Sequence, residues 1–182
     1  MPDQLLSRLA ANEGILVETC ARLTAAVAAS HRITPAGEWL LDNFYLVEEQ
    51  IRTARRHLPK GYSRELPILA AGTSGGLPRV YDIALETIAH GDGRVDPDSL
   101  SRFVAAYQTI TPLRLGELWA IPIMLRLALI ENLRRVAVRI AAGRMDRDLA
   151  VTWANRLTEI ARQDTKSLIL VIADMARSHP PL

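Results

Sequence analysis

Apolar residues recur at helical spacing along nearly the whole chain. Residues 3–29 carry Leu5, Leu9, Leu16, Cys20, Leu23 and Val27 at intervals of three, four or seven, with Gly14 as a weak point. Thr34-Pro35 predicts a helix start, the Thr34 hydroxyl capping and Pro35 occupying the first turn. The helix that follows sets Leu40, Phe44, Val47, Ile51, Ala54 and Leu58 on one stripe, and Glu48, Glu49, Arg52, Arg55 and Arg56 fall mostly off it. Glu48 and Arg52 stand four apart in the favourable order, worth about 0.2–0.5 kcal/mol on an exposed helix face.

Residues 59–78 break the pattern with three prolines and four glycines, leaving room for one helical turn between Arg64 and Ala71. A loop of that length inside a domain is uncommon, so it is expected to be pinned, with Tyr62, Leu66, Ile68 and Leu69 the residues to do it, or functional. A helix over about 79–89 follows, and then one beginning after Asp96-Pro97 with Leu100, Phe103, Val104 and Tyr107. A long central helix over about 112–142 ends at Gly143. Asp146 caps the next helix (Leu149, Trp153, Leu157, Ile160), and Asp164 or Thr165 caps the last (Leu168, Ile169, Ile172, Met175). No alternating strand pattern, no hairpin dipeptide between apolar runs, and no internal repeat or low-complexity tract occurs. The pattern predicts an all-α fold, a bundle of six or seven helices around the long central helix. Residues 1–182 are expected to form a single helical domain, a segment of a much longer multidomain protein.

Composition refines this picture. Hydrophobic residues make up 49% of 182, enough for a sizeable core, and the net charge is only +2. All 22 basic residues except Lys60 and Lys166 are arginine, a bias that GC-rich coding explains. The arginines are spread over every helix and interleaved with acids, which argues against a nucleic-acid surface. Cys20, the single cysteine, lies in an apolar pattern, so no intrachain disulfide forms and a small buried hydrophobe is its expected role. The N-terminal residues lack a signal-peptide pattern.

The stretch Thr111–Arg135, TPLRLGELWAIPIMLRLALIENLRR, carries the most information. It is nearly continuously apolar, yet Glu117, Arg126 and Glu131 are set into it and Pro122 interrupts it. A membrane span needs about 20 residues with few or no charges, so the stretch is expected to be a core helix and not to insert in a membrane. Glu131 precedes Arg134 and Arg135 by three and four residues, an ordinary helix pairing. Glu117 and Arg126 have Leu118, Trp119, Leu125 and Leu127 for neighbours, and a buried, unpaired charge costs several kcal/mol. Glu117, Arg126, Glu131 and Arg134 are therefore read as a structural polar network that fixes helix packing, with a ligand or partner pocket as the alternative. On that reading Arg126→Ala chiefly lowers thermal stability.

Other chemistry is thinly represented. His31, His57, His90 and His179 share no helix at metal-ligand spacing. Asp92, Asp96 and Asp98 do not have calcium-loop spacing, and Asp96 reads as a helix cap. The GTSGG glycines lack the Lys-Ser/Thr of a phosphate loop, and no GxSxG elbow occurs. Glu48/Glu49 and Glu117/Glu131 are pairs in sequence only, so no pair of carboxylates flanking a glycosidic bond is assigned. No catalytic, cofactor-binding or metal-binding residue is assigned. Trp39, Trp119, Trp153, Tyr45 and Tyr62 could stack on sugars, although core packing accounts for such positions more simply.

Three ordered motifs, NFYLVEEQIRTARRHLPKGYSRELPILA, GLPRVYDIALETIAHGDGRVD and FVAAYQTITPLRLGELWAIPIMLRLALIENLRR, resemble the N-terminal, non-catalytic region of the cyclic β-1,2-glucan synthases. The resemblance covers about residues 34–142 strongly and the flanks weakly. It implies a long inner-membrane parent that uses UDP-glucose, through a metal-dependent transferase domain, to build β-1,2-linked glucan, with a phosphorylase-like domain acting on chain length. None of those catalytic motifs matches a position here. Ser63, Gly91 and Gly93 depart from the family pattern, which more often has an aromatic, Thr and Ser there. The resemblance implies a scaffold or regulatory segment on the cytoplasmic side of the inner membrane. It would dock on the transferase domain of the same parent or self-associate, and Tyr45, Glu48, Glu49 and Arg52 form the expected partner-facing surface. A carbohydrate- or nucleotide-sugar-binding module is the alternative, and a nucleic-acid-binding helical domain a more distant one.

Overall fold

The computed structural model describes residues 4–58, 61–163 and 165–177, with some side chains from 144 onward outside the description. The fold is all-α. Among the described residues eight helical elements follow in order: α1 (Gln4–Ala28), α2 (Pro35–Asp42), α3 (Phe44–His57), α4 (Tyr62–Glu65), α5 (Arg79–His90), α6 (Pro97–Gln108), α7 (Leu115–Gln163) and α8 (Thr165–Arg177). The long helix α7 is the axis. α5 and α1 pack most extensively along it, α3 and α2 close another side, and α8 folds back on its distal part.

The sequence stripes become the core. Leu5, Leu9, Leu16, Cys20 and Leu23 of α1 are buried with Leu40, Val47, Ile51, Ala54 and Leu58, against Met124, Leu127, Ala128 and Ala137 of α7. Val27, at the end of its stripe, is half exposed, and no residue of α6 is fully buried. The caps lie where the sequence places them. Gly37 N donates to Thr34 Oγ1 at 3.2 Å, and Ser99 N to Asp96 Oδ2 at 2.8 Å.

Two helix junctions differ from the sequence expectation. The helix expected over 34–58 is broken at Asn43. Its Nδ2 and its backbone N–H both reach Trp39 O, at 2.8 and 3.0 Å, and this local side-chain competition ends α2. The central helix does not stop at Gly143 but runs as one 49-residue helix to Gln163, absorbing the helix expected to begin at Asp146. A glycine inside a helix costs only about 1 kcal/mol, too little to end one flanked by good helix formers. The side chain of Asp146, the caps at Asp164 and Thr165, and the packing of Ile160, Leu168 and Ile169 lie outside the described residues, as does His179.

The 61–78 loop is pinned, but not by all the residues the sequence offered. Leu66 and Leu77 are buried, whereas Ile68 is exposed and joins Pro78 only through an isolated backbone bridge. Leu69 N donates to Leu77 O at 2.9 Å, and Arg79 N to Pro67 O at 2.9 Å. The loop thereby fixes Arg79 at the first position of α5. The departures Gly91 and Gly93 also have a local reason. A Cβ on Gly91 would meet Arg94 O at 2.3 Å, and Gly93 has φ +81°. Among the described residues no helix is long and apolar enough to cross a membrane.

Candidate functional site

The charges embedded in α7 resolve into two separate clusters. Glu117 is the third residue of α7, and its side chain is wholly buried. Its Oε2 accepts from Arg114 N at 2.9 Å, the reach-back half of a capping box. Arg79 Nε and Nη2 grip the same carboxylate at 2.6 and 2.7 Å, and Nη2 also donates to Pro112 O at 2.9 Å. One bidentate pair thus joins the start of α5 to the start of α7. Burial raises the Glu117 pKa, but the Arg79 guanidinium and the Arg114 N–H outweigh it and hold the carboxyl below its ordinary value.

Glu131 lies two heptads further along α7 and is also buried. It accepts from Arg8 Nε at 2.5 Å, Arg8 Nη2 at 2.6 Å, the Tyr81 hydroxyl at 2.6 Å and Arg135 Nη2 at 3.1 Å. The cluster therefore ties α1 and α5 to α7. Burial alone would raise the Glu131 pKa, but bonds from Arg8 and Tyr81 and the charges of Arg8 and Arg135 bring it to about 2. Burial, then the bond to Glu131, pushes the Tyr81 hydroxyl the other way, above its ordinary value.

Arg126 and Arg134 join neither cluster. Arg134 is half-buried, and its Nε has no hydrogen-bond partner among the described residues. Arg126 is half-buried on another side of α7, in a groove with Trp39, Leu46 and Leu129, and makes no ion pair among the described residues. The structure thus brings Glu117 and Glu131 to ion pairs with Arg79 and Arg8, which the sequence did not single out. Both arginines lie in helix patterns indistinguishable from those of the other arginines. Only the position of Arg79, just after a proline at a helix start, sets it apart.

Tyr45, Glu48, Glu49 and Arg52 are all exposed on the outer side of α3. Glu48 and Arg52 make no ion pair with each other among the described residues. On the same helix Arg55 pairs with Glu13 of α1. Two of the aromatics for which core packing was the simpler reading are solvent-facing, Trp119 at 76% and Trp39 at 56% exposure, while Trp153 is buried; Tyr45, expected to face a partner, is 62% exposed. Between α5 and α6 a cleft of about 530 Å³ is lined by Glu86, His90, Arg94, Asp96 and Phe103. No group of three or more His, Cys, Asp or Glu residues able to hold a metal occurs among the described residues.

No family model matches the chain. Among curated proteins it is similar to the cyclic beta-(1,2)-glucan synthase NdvB of Rhizobium meliloti (strain 1021), with 39% identity over 160 residues. That match takes in 87% of this chain and 6% of that protein. The chain therefore spans a small fraction of its relative's length. It is homologous to part of a cyclic β-(1,2)-glucan synthase, the family its motifs resemble.

Proposed function

We propose that this chain is a non-catalytic scaffold or regulatory domain of a cyclic β-(1,2)-glucan synthase, placed before the transferase domain on the cytoplasmic side of the inner membrane. The parent, on this reading, polymerises glucose from UDP-glucose, and the divalent metal belongs to its transferase domain. The observation that carries the proposal is the similarity to part of the Rhizobium meliloti synthase, and the state of the two buried carboxylates supports a packing role for them. A general base works best with a pKa near the operating pH. Glu131 sits at about 2, and both Glu131 and Glu117 have their oxygens occupied by arginine donors. Such groups hold helices in register and do not move protons.

The domain acts by docking on the transferase domain of the same parent, or by self-association. Gel filtration of this chain with that domain tests the reading. Joint elution ahead of either component supports it, and separate monomers at high concentration remove docking.

The cleft between α5 and α6 favours a second reading, a carbohydrate- or nucleotide-sugar-binding module. Phe103 offers a ring face beside carboxylates and His90, a combination suited to a sugar. Calorimetric titration with UDP-glucose and with β-1,2-glucan separates the two: saturable heat favours the module, and a flat trace the scaffold.

A further inference from the structure

The exposed side of α7 carries a regular seam. Leu115, Trp119, Pro122, Arg126, Leu129 and Leu133 follow at intervals of four, three, four, three and four. That is the spacing with which a helix presents one face to a second helix. Towards its middle the seam becomes a groove of about 410 Å³, walled by Trp39 of α2 and by Leu46 and Val47 of α3. Its other end stays open, where Leu115 and Trp119 are 71% and 76% exposed. From Leu115 to Leu133 the seam runs about 27 Å at 1.5 Å per residue, too long for one small ligand and suited to a helix of five turns.

The groove has a single charge, Arg126, and among the described residues no carboxylate pairs with it. Arg8, Arg79 and Arg135, which also lie against α7, each pair with a glutamate, whereas Arg134, half-buried on another side of α7, does not among the described residues. A guanidinium held in apolar surroundings is stabilised by an anion brought to it. A second copy docked seam to seam about a twofold axis near Arg126 would instead face one guanidinium with another.

We infer that the groove between α7 and the α2–α3 pair seats an amphipathic helix of the parent polypeptide, with apolar residues at three- and four-residue spacing and one carboxylate that pairs with Arg126. This rests on the docking reading and gives it a seat, distinct from the Tyr45–Arg52 face of α3.

The test places a photoreactive phenylalanine analogue at Leu129 in the full-length parent, and separately at Tyr45, and identifies the linked peptides by mass spectrometry. Leu129 should link to one helical segment with the stated pattern. Arg126→Glu and the milder Arg126→Gln should lower the yield at least about tenfold, as loss of an interfacial charge pair does. Replacing the partner's carboxylate by arginine should restore the yield with Arg126→Glu, which also shows that the variant folds. Linking to lipid or to a second copy, or a yield indifferent to Arg126, overturns the inference. If Tyr45 links to the transferase domain and Leu129 does not, the groove is not the seat but docking stands. If neither position links, both fall.

Discussion

The Tyr81 hydroxyl donates to Glu131 Oε2 at 2.6 Å across a fully buried contact between α5 and α7. Arg8 from α1 reaches the same oxygen, so three helices meet at one carboxylate. Tyr81→Phe removes one donor and leaves Glu131 paired with Arg8 and Arg135. A hydrogen bond to a charged group contributes about 1.5–3 kcal/mol, and the remaining donors place this loss near the lower end. Urea denaturation should show a loss of about 1–2 kcal/mol with unchanged helix content. A midpoint equal to wild type would mean that the hydroxyl contributes nothing to packing.

The depressed pKa of Glu131 has a direct consequence for acid stability. A carboxyl whose folded-state pKa lies below its unfolded value contributes stability above the unfolded pKa and loses it as pH falls through the folded one. With 4.5 as its ordinary value and about 2 in the fold, Glu131 loses its contribution between about pH 4.5 and 2. The amount is on the order of 3 kcal/mol. Unfolding midpoints at pH 7, 4.5, 3 and 2 should converge for wild type and Glu131→Gln as pH falls. Parallel curves across that window would assign the acid sensitivity to other groups.

The Arg79–Glu117 pair should behave differently from an exposed ion pair. Arg79→Ala leaves a wholly buried carboxylate with only the Arg114 N–H, and breaking a buried pair from one side costs about 3–5 kcal/mol. Arg79→Met combined with Glu117→Met removes both charges and should cost clearly less than the sum of Arg79→Met and Glu117→Met alone. A double-mutant cycle by chemical denaturation measures this. Additive single losses would show that the two side chains do not act as a unit.

The sequence showed one end of these pairs and not the other. Glu117 and Glu131 stood out because they interrupt apolar runs, which forces a partner to exist. Arg8 and Arg79 did not, because nearly every basic residue is arginine and helical period cannot say which arginine faces another helix. Arg126 shows the limit from the other side. Its apolar neighbours in sequence suggested a paired core charge, whereas it lies in an open groove, because Trp39 and Leu46 wall that side of α7 without covering it. The same incomplete cover leaves Trp119 exposed. Helix existence was legible throughout. The break at Asn43 and the continuity through Gly143 were not, since each turns on a balance of about 1 kcal/mol between local bonding and continued helix.

Gly143 gives the most direct check on that balance. It lies inside α7, exposed, and an added Cβ would meet nothing within 4 Å. Alanine in an exposed helix interior is favoured over glycine by about 0.5–1 kcal/mol, because glycine loses more backbone freedom on ordering. Gly143→Ala should therefore raise stability by that amount and reduce amide exchange across the turns on either side. Had the helix ended there on a left-handed glycine, the same substitution would be strained and destabilising. The sign of the change in melting temperature thus decides between a continuous α7 and two helices joined at Gly143.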